Sequence, residues 1–270
     1  MGSEVIFRGQ SLPDDIAEAF ARAGARLGPF QHHLAWYEEV GSTNDIAMAA
    51  ATSGAPEGCV VAADAQSSGR GRFGRSWASP PGAGLYVSVV LHPRRDALSL
   101  VTIAAGVALA EGIEAATGLR AGVKWPNDVY VGVRKLAGIL AEAGSSAAGE
   151  HVIVGFGINL QPAALPADVA SRATSIEGEL GRSVDRGLVL AECLAALASR
   201  YQALQRGARD EVIAAWRLRA AQHLGRQVEW DGDDGAQRGI AHDIDSGGAL
   251  LVRVNDQIVR VISGEVRWLT

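Results

Sequence analysis

Apolar and polar residues in this 270-residue chain alternate between the spacing typical of helices and that typical of strands. A helix is predicted over residues 12–23, and a break follows at Gly28 and Pro29. Further helices are predicted over 44–51 and 98–117, the latter ending at Gly118, and strands over 36–40, 59–66 and 84–92. The helix over 98–117 is apolar on most sides and needs a sheet to cover it.

Three more strands are predicted over 123–131, 135–143 and 151–160, with turns of hairpin length between them, so they should pair antiparallel. Amphipathic helices over 184–204 and 210–221 precede about five short strands. This order predicts an α+β fold with a mixed, mainly antiparallel sheet packed with helices. We place one domain at 1–224, with an extension at 1–35, and a small β-barrel at 225–270.

Composition narrows the possible functions. The formal net charge of -5 argues against a broad nucleic-acid or membrane surface. Cys59 and Cys193 match no metal or redox spacing, which fits a reducing compartment, and we expect a soluble cytoplasmic protein. Of the 25 basic side chains only Lys124 and Lys135 are lysines, so each is a candidate for a role that needs a compact ammonium.

The segment from Gly69 to Arg75, GRGRFGR, contains a glycine pattern that also occurs in dinucleotide-binding folds. Such a fingerprint opens a helix, whereas this segment runs into Pro80 and Pro81, so we interpret it as a flexible loop. Its glycines expose backbone donors and its arginines suit carboxylate and phosphate oxygens. The loop should close over an anion, although a solvated basic turn is an equally good interpretation of the loop alone.

Two further motifs carry candidate chemistry. In GSTND, the spacing of Ser42 and Asp45 resembles a capping box, yet three successive polar side chains also suit a polar head group. In KWPND, Pro126 biases Trp125 towards an extended strand, and Asp128 is either a ligand for ribose or magnesium-held phosphates or a turn acid. Lys135 opens an apolar strand and needs an anion, which is a ligand or else Asp128 or Glu142.

Taken in order, GSTN, GRGRFGRSW, KWPND, RKLAGIL and VGFGINL resemble the catalytic domain of biotin protein ligases, and GIAHDIDSGGALLV resembles that family's small C-terminal SH3-like barrel. The resemblance implies a class II synthetase-like fold and a two-step reaction. Biotin and ATP give biotinyl-5'-adenylate and pyrophosphate with Mg²⁺ and no redox cofactor. A lysine of a biotin carboxyl carrier domain then takes the biotin.

The resemblance also implies roles for individual residues. Lys135, Arg70 and Arg72 are expected to be catalytic, with Lys135 between the biotin carboxylate and the α-phosphate. The magnesium ligands stay open, with Asp128 as a candidate. The expected biotin-binding residues are Ser42, Thr43, Asn44, Gln66, Arg70, Gly71, Arg72, Lys135, Gly155 and Gly157. The expected ATP-binding residues are Arg70, Arg72, Arg75, Trp77, Lys124, Asn127, Asp128, Lys135 and Asn159, with Asn159 reading the adenine and Trp77 packing beside it.

Two departures from the family pattern and several alternatives accompany this interpretation. Phe73 stands where family members often carry a basic or polar residue, so apolar packing is expected to anchor part of the loop. The region before Trp36 is too short for a winged helix, which predicts a monofunctional ligase. A lipoate or octanoate ligase is the alternative within the fold, and a nucleic-acid-binding module the alternative outside it. Monomer and ligand-dependent homodimer both stay open.

Overall fold

A seven-stranded sheet forms the centre of the protein, and a second sheet of five strands follows it, in a computed structural model that describes residues 9–147, 149–167, 169–232 and 235–269. The first sheet contains β1 (Leu34–Val40), β2 (Val60–Gln66), β3 (Gly84–Leu91), β4 (Gly122–Lys124), β5 (Asp128–Val131), β6 (Arg134–Ser146) and β7 (Gly149–Asn159). The helices are α1 (Asp14–Ala23), α2 (Thr43–Thr52), α3 (Val101–Thr117), α4 (Ile176–Leu180), α5 (Arg186–Gln205) and α6 (Arg209–Ala220).

The strands of the first sheet lie in the order β1-β2-β3-β7-β6-β5-β4. Only the β1–β2 pair is parallel among the ladders of this sheet in the described ranges, and β4 to β7 pair antiparallel in sequence, as predicted. The predicted mixed, mainly antiparallel sheet packed with helices is therefore confirmed.

Helix α3 is the central helix of the layer that covers the sheet. The stretch Arg95–Thr117, α3 with the 3-10 turn before it, is long and apolar enough to cross a membrane, but 72% of its most apolar window is buried inside the fold. A Cβ on Gly112 would overlap the backbone of Cys193, so glycine lets α3 and α5 approach closely. Gly118, with φ of 78°, ends α3 in the left-handed conformation, as predicted. The apolar surface of α3 is therefore part of the protein core.

The predicted continuous strand over 123–131 is wrong, because residues 125–127 form a turn between β4 and β5. The peptide bond between Trp125 and Pro126 is cis, and Pro126 has no N–H to donate to a ladder. The Trp125 indole is buried and donates from Nε1 to the carbonyl of Gly248 at 2.9 Å. The KWPND motif is thus a hairpin turn fastened to the C-terminal part of the chain.

The last part of the chain forms an antiparallel sheet in the order β11-β10-β9-β8-β12. Its strands are β8 (Gln227–Gly232), β9 (Gly235–Ile244), β10 (Leu250–Val254), β11 (Gln257–Val261) and β12 (Val266–Trp268). Five short strands were expected here. Besides the Trp125 bond, an ion pair between Arg217 of α6 and Asp243 of β9, 2.8 Å, joins this sheet to the helical layer. Strand β12 thereby comes to lie beside the candidate site.

Candidate active site

A cavity of about 1010 Å³ opens between the first sheet, the loop at residues 69–75 and strand β12. Every residue expected to bind biotin or ATP contributes to its lining, although the motifs are as much as 117 positions apart, between residues 42 and 159. These residues are Ser42, Thr43, Asn44, Gln66, Arg70, Gly71, Arg72, Arg75, Trp77, Lys124, Asn127, Asp128, Lys135, Gly155, Gly157 and Asn159. The structure brings them together, while their individual roles stay predictions.

One end of the cavity is built on a network of polar side chains that we call the polar cluster: Thr43, Asn44, Gln66, Ser79, Ser88 and Glu142. Gln66 Oε1 accepts from the Thr43 backbone N–H at 2.9 Å, and Gln66 Nε2 donates to Ser79 Oγ at 2.9 Å. Ser88 Oγ lies 2.8 Å from Thr43 Oγ1 and 2.5 Å from Asn44 Oδ1. Since buried polar groups are costly unless they are paired, this network fixes the shape of the pocket.

Ser42 occupies the N-cap position of α2 in an extended conformation, but its side chain makes no capping hydrogen bond within the described part of the chain. The capping-box prediction is therefore wrong in its side-chain bond, although the helix does begin there. Gln66 Oε1 accepts from the backbone N–H of Thr43, one of the four N–H groups at the helix start that have no partner within the helix. The Ser42 hydroxyl, buried and lining the cavity, is left available to a ligand.

Glycines on β6 and β7 make room for large side chains in the cavity. A Cβ on Gly155 would overlap Asn44 Oδ1, and one on Gly157 would overlap the Trp77 indole. A Cβ on Gly138 would come within 2.9 Å of Trp77 Cζ3. Trp77 Nε1 is buried without a hydrogen-bond partner among the described residues. The indole therefore lies flat against two glycine-bearing strands at the cavity floor.

The segment at residues 69–75, which we call the arginine loop, is a narrow hairpin. The Gly71 N–H donates to the Arg75 carbonyl at 2.7 Å, and the Trp77 N–H donates to the Gly69 carbonyl at 2.8 Å. All three arginines have protein partners. Arg70 Nη2 lies 2.7 Å from Asp45 and 2.9 Å from Glu142, Arg72 donates to Asn127 Oδ1 at 3.2 Å, and Arg75 pairs with Glu265 at 2.5 Å.

Phe73 is not anchored by apolar packing, so that prediction is wrong. Its side chain is 60% exposed, and the Arg72 guanidinium lies 4.8 Å from the centroid of its ring. With φ of 57° Phe73 adopts the left-handed conformation that is uncommon outside glycine, and this turns the ring away from the core at the loop tip. Ion pairs and hydrogen bonds to arginine hold the loop instead.

Lys135 lies at the centre of the cavity wall. Its Nζ is 2.6 Å from Asp128 Oδ1 and 5.3 Å from the centroid of the Trp77 ring. Asp128, and not Glu142, is thus its protein partner, one of the two carboxylates considered from the sequence. A lysine ammonium next to a single carboxylate can exchange that partner for a substrate oxygen, because its three donors rotate freely.

Lys124 lies deeper, against aromatic rings. Its Nζ is 4.4 Å from the centroid of Tyr130 and 5.6 Å from that of Trp268, and it donates to the Tyr130 hydroxyl at 3.2 Å. Burial lowers the pKa of Lys124, opposed by the charge of Asp128. Burial also lowers the pKa of Arg72, again opposed by Asp128. Asp128 is therefore the carboxylate that interacts with Lys124, Lys135 and Arg72.

The two asparagines expected near the nucleotide are already partly engaged. Asn127 Nδ2 donates to the Ile139 carbonyl at 2.7 Å, which ties the KWPND turn to β6. Asn159 Nδ2 donates to the Thr174 carbonyl at 2.9 Å, so its Oδ1 and its second N–H are left to meet a base. Asn127 acts as a brace for the site, and Asn159 has reduced hydrogen-bonding capacity for the adenine.

Comparisons with known proteins agree with this geometry. Residues 37–159 match the Biotin/lipoate A/B protein ligase family, and residues 223–267 match the Biotin protein ligase C terminal domain. The chain is 36% identical over 237 residues to the biotin-acetyl-CoA-carboxylase ligase of Mycobacterium tuberculosis, covering 84% of this chain and 86% of that protein. The chain belongs to the biotin protein ligase family.

Two further comparisons also cover most of the chain. The bifunctional ligase/repressor BirA of Bacillus subtilis is 32% identical over 259 residues, covering 94% of this chain and 79% of that protein. The biotin protein ligase of Aquifex aeolicus in complex with biotin and ATP superimposes with a TM-score of 0.74 at 29% identity. That match covers 88% of this chain and 99% of the Aquifex chain.

This ligase-family site also contains residues that the sequence motifs did not indicate. Strand β12 and the residue before it add Glu265, Val266, Arg267 and Trp268 to the cavity lining, and Tyr130 and Arg172 add two more side chains. Ser88 and Glu142 support the polar cluster from β3 and β6. Ser88 had a faint signal, since it is the one serine in a mostly apolar strand, whereas Glu265 and Trp268 had none.

Few carboxylates in the cavity are available to hold Mg²⁺. Across the described ranges, no three His, Cys, Asp or Glu side chains form a group able to hold a metal ion. Asp128 is the cavity carboxylate nearest to Lys135. Mg²⁺ in nucleotide sites is bound by one or two carboxylates together with phosphate oxygens and waters, so a single aspartate fits an ion brought in by the nucleotide.

Proposed function

We propose that this protein is an ATP-dependent ligase that forms biotinyl-5'-AMP from biotin and ATP and transfers the biotin to a lysine of a biotin carboxyl carrier domain. One observation supports this above all: five motifs separated in sequence line a single cavity in a chain that belongs to the biotin protein ligase family. The cavity combines a polar pocket with a cluster of arginine and lysine side chains.

The charge arrangement suits acyl-adenylate chemistry. A carboxylate oxygen of biotin attacks the α-phosphorus of ATP, the bond to pyrophosphate breaks, and the mixed anhydride forms. Negative charge increases on the α-phosphoryl oxygens in this step, and Lys135, released from Asp128, stabilises it. Arg70 and Arg72 supply planar donors from the loop side. The chemistry that Mg²⁺ supplies when bound is neutralisation of phosphate charge, with Asp128 as the candidate ligand.

The polar cluster supports recognition of the biotin head group. Ser42, Thr43 and Asn44 lie at the start of α2, and these buried polar residues line the cavity. Biotin carries a ureido ring with two N–H donors and one carbonyl acceptor, whereas lipoate and octanoate have no such group. The C-terminal match and the relatives named as biotin ligases also favour biotin over the lipoate alternative.

In the second step, the amine of the acceptor lysine attacks the carbonyl carbon of the anhydride, an amide bond forms, and AMP leaves. The relatives are named as ligases of acetyl-CoA carboxylase, so the carrier domain of such a carboxylase is the proposed partner. We also propose a cytoplasmic location. ATP dependence supports it, as do the free and buried Cys59 and Cys193, with burial raising the pKa of Cys59 to about 11.

Acid-dependent pyrophosphate exchange tests the proposed function. The full chain is incubated with ATP, Mg²⁺ and labelled pyrophosphate together with biotin, lipoate or octanoate. We expect exchange with biotin and at most a trace with the other two acids, since neither can satisfy the polar cluster. Exchange that depends on lipoate or octanoate but not on biotin would reject the proposal in favour of the lipoate alternative.

A further inference from the structure

One carboxylate joins the polar cluster to the arginine loop. Glu142 lies on β6, and its Oε2 accepts from Asn44 Nδ2 at 2.6 Å and from Arg70 Nη2 at 2.9 Å. Asn44 is buried in the polar cluster, whereas Arg70 is a half-exposed side chain of the loop. A single oxygen atom thus connects the wall of the head-group pocket with the loop that borders the cavity.

The same carboxylate determines which way the Asn44 amide points. Asn44 Oδ1 lies 2.5 Å from the Ser88 hydroxyl, and a Cβ on Gly155 would overlap this oxygen, so the amide fits tightly. A carboxylate only accepts hydrogen bonds, so a flipped amide would place Oδ1 against Glu142 Oε2, and the two oxygens would repel each other. Glu142 therefore keeps the nitrogen of Asn44 turned towards itself.

This orientation has a consequence for the ligand. Asn44 Nδ2 is engaged by Glu142 and, at 3.5 Å, by the Leu140 carbonyl. The oxygen accepts from Ser88 and has a second lone pair. Asn44 thus offers the cavity an acceptor, which suits an N–H of a cyclic urea and does not suit its carbonyl.

We propose that Glu142 is a positioning residue of this ligase that sets the Asn44 amide for ureido recognition and holds Arg70, so that head-group binding and loop placement are coupled. This inference rests on the proposed function and adds a residue to it. Asp45 also pairs with Arg70, at 2.7 Å, but Glu142 differs because it contacts the buried amide as well. It is the joint contact that makes Glu142 a coupling residue.

Two substitutions separate the two contacts. Glu142→Ala removes both, whereas Glu142→Gln keeps an oxygen that accepts from Asn44 Nδ2 and loses the charge that attracts Arg70. Glu150→Gln is the matched control, because Glu150 lies on the neighbouring strand β7 and pairs with Arg95 outside the cavity. Each full-length variant is assayed by biotin-dependent pyrophosphate exchange for the KM of biotin and of ATP. Trypsin cleavage after Arg70, Arg72 and Arg75 without substrates reports on the loop.

For Glu142→Ala we expect the KM for biotin to rise about tenfold or more, and the KM for ATP to change less than about threefold, because a buried amide loses its partner. Glu142→Gln should keep the KM for biotin within about threefold of wild type, since the hydrogen bond survives. Both variants should be cut in the loop roughly three to ten times faster than wild type, because the charged contact is lost. Glu150→Gln should match wild type in every readout.

Three results would overturn the inference: a KM for biotin that Glu142→Ala leaves within about twofold of wild type, equal rises in both KM values, or unchanged loop cleavage in both variants. Thermal unfolding of each variant identifies a misfolded protein, and the Gln variant, which keeps the volume of the side chain, then carries the test. If wild type shows no biotin-dependent exchange, the proposed function itself fails. Wild-type exchange with an unaffected Glu142→Ala rejects the role of Glu142 alone.

Discussion

The polar cluster and the arginine loop form two adjoining walls of one cavity and are held in different ways. In the cluster, Thr43, Asn44 and Ser88 are almost fully buried and bond to each other and to Gln66. In the loop, the side chains of Arg70 and Arg75 are 43% and 65% exposed and pair with carboxylates. Exposed ion pairs contribute at most about 1 kcal/mol each, while leaving a buried donor unpaired costs about 1–3 kcal/mol.

Because they are held differently, the two walls respond differently to a ligand. The cluster is held by hydrogen bonds between its own buried side chains, so it can select a head group at little cost in ordering. Arg70, Arg75 and Lys135 rest on protein carboxylates, and a carboxylate or phosphate of the substrates can replace those partners at small cost. We therefore expect substitutions in the cluster to affect biotin binding and substitutions in the loop ties to affect loop mobility. Glu142 is the exception, because it contacts both walls and should affect both properties.

Lys135→Ala should have the largest effect, because Lys135 lies between the two walls and neither can replace its charge. We expect adenylate formation to fall by about 10²–10³ or more, as when a preorganised donor to a transition-state oxyanion is removed. Pyrophosphate exchange measures it. Arg134→Ala is the control, since Arg134 pairs with Glu179 and does not line the cavity. Near wild-type exchange in Lys135→Ala would show that catalysis does not depend on this side chain.

Gly155→Ala tests the cluster directly. The added methyl would overlap Asn44 Oδ1, which Ser88 and Glu142 hold in place. The KM for biotin should rise by roughly 5- to 150-fold, since overpacking a rigid site costs about 1–3 kcal/mol, and the KM for ATP should change little. Gly106→Ala on α3, where the nearest atoms are 3.8 Å away, is the control. A biotin KM unchanged by Gly155→Ala would mean that the cluster is as adaptable as the loop.

His223 tests the packing between β12 and β5, next to the residue that anchors the loop. Its ring is T-shaped against Trp268 and Tyr130, and burial lowers its pKa from 6.5 to about 4. A group whose folded pKa is depressed binds fewer protons in the folded state, so stability is lost as pH falls from about 6.5 towards 4. We expect this residue to account for about 1–3 kcal/mol of that loss.

The measurement is urea unfolding of wild type and His223→Phe at several pH values. Phenylalanine keeps the ring contacts and cannot ionise, so its stability should fall less over this window than that of wild type. Parallel stability curves for the two proteins from pH 7 to pH 4.5 would show that His223 titrates normally and that β12 rests on other contacts.

Glu265→Gln should give the smallest effect. It weakens the ion pair between Arg75 and Glu265, the residue before β12. The Arg75 side chain of this pair is largely exposed. Trypsin cleavage in the loop should accelerate by roughly two- to fivefold, in keeping with a surface ion pair of less than about 1 kcal/mol, and the KM for biotin should stay unchanged. Cleavage that slows in Glu265→Gln, or a large change in biotin binding, would contradict the separation of the two walls.

Much of this fold could be predicted from the sequence, because most of its signals are local. The helices that end at Gly118 and begin near Thr43 appeared where glycine and polar residues mark helix ends. The antiparallel order from β4 to β7 followed from hairpin-length turns. The turn at 125–127 was missed because an isolated Pro126 fits both a strand and a turn, and its cis peptide bond has no sequence signature.

The candidate site shows the same division. Lys135 and the arginine loop could be found because lysine is rare in this chain and glycine with arginine is unusual in a loop. Glu142 was considered only as a partner of Lys135. Its contacts with Asn44 and Arg70, and the role of Glu265, could not be predicted, since they depend on strand register and on the packing of the second sheet against the first. The partners of the arginines decide how the loop is held, and such long-range pairs leave no local pattern.

If this cavity makes an acyl-adenylate of biotin, mass spectrometry of a single-turnover mixture detects that product. The full chain is mixed with equimolar biotin and ATP in the presence of Mg²⁺, and the protein-bound products are then extracted. We expect biotinyl-5'-AMP in wild type and its near absence in Lys135→Ala. A wild-type mixture that contains only unreacted biotin and ATP, or hydrolysed ATP without the adenylate, would contradict this expectation.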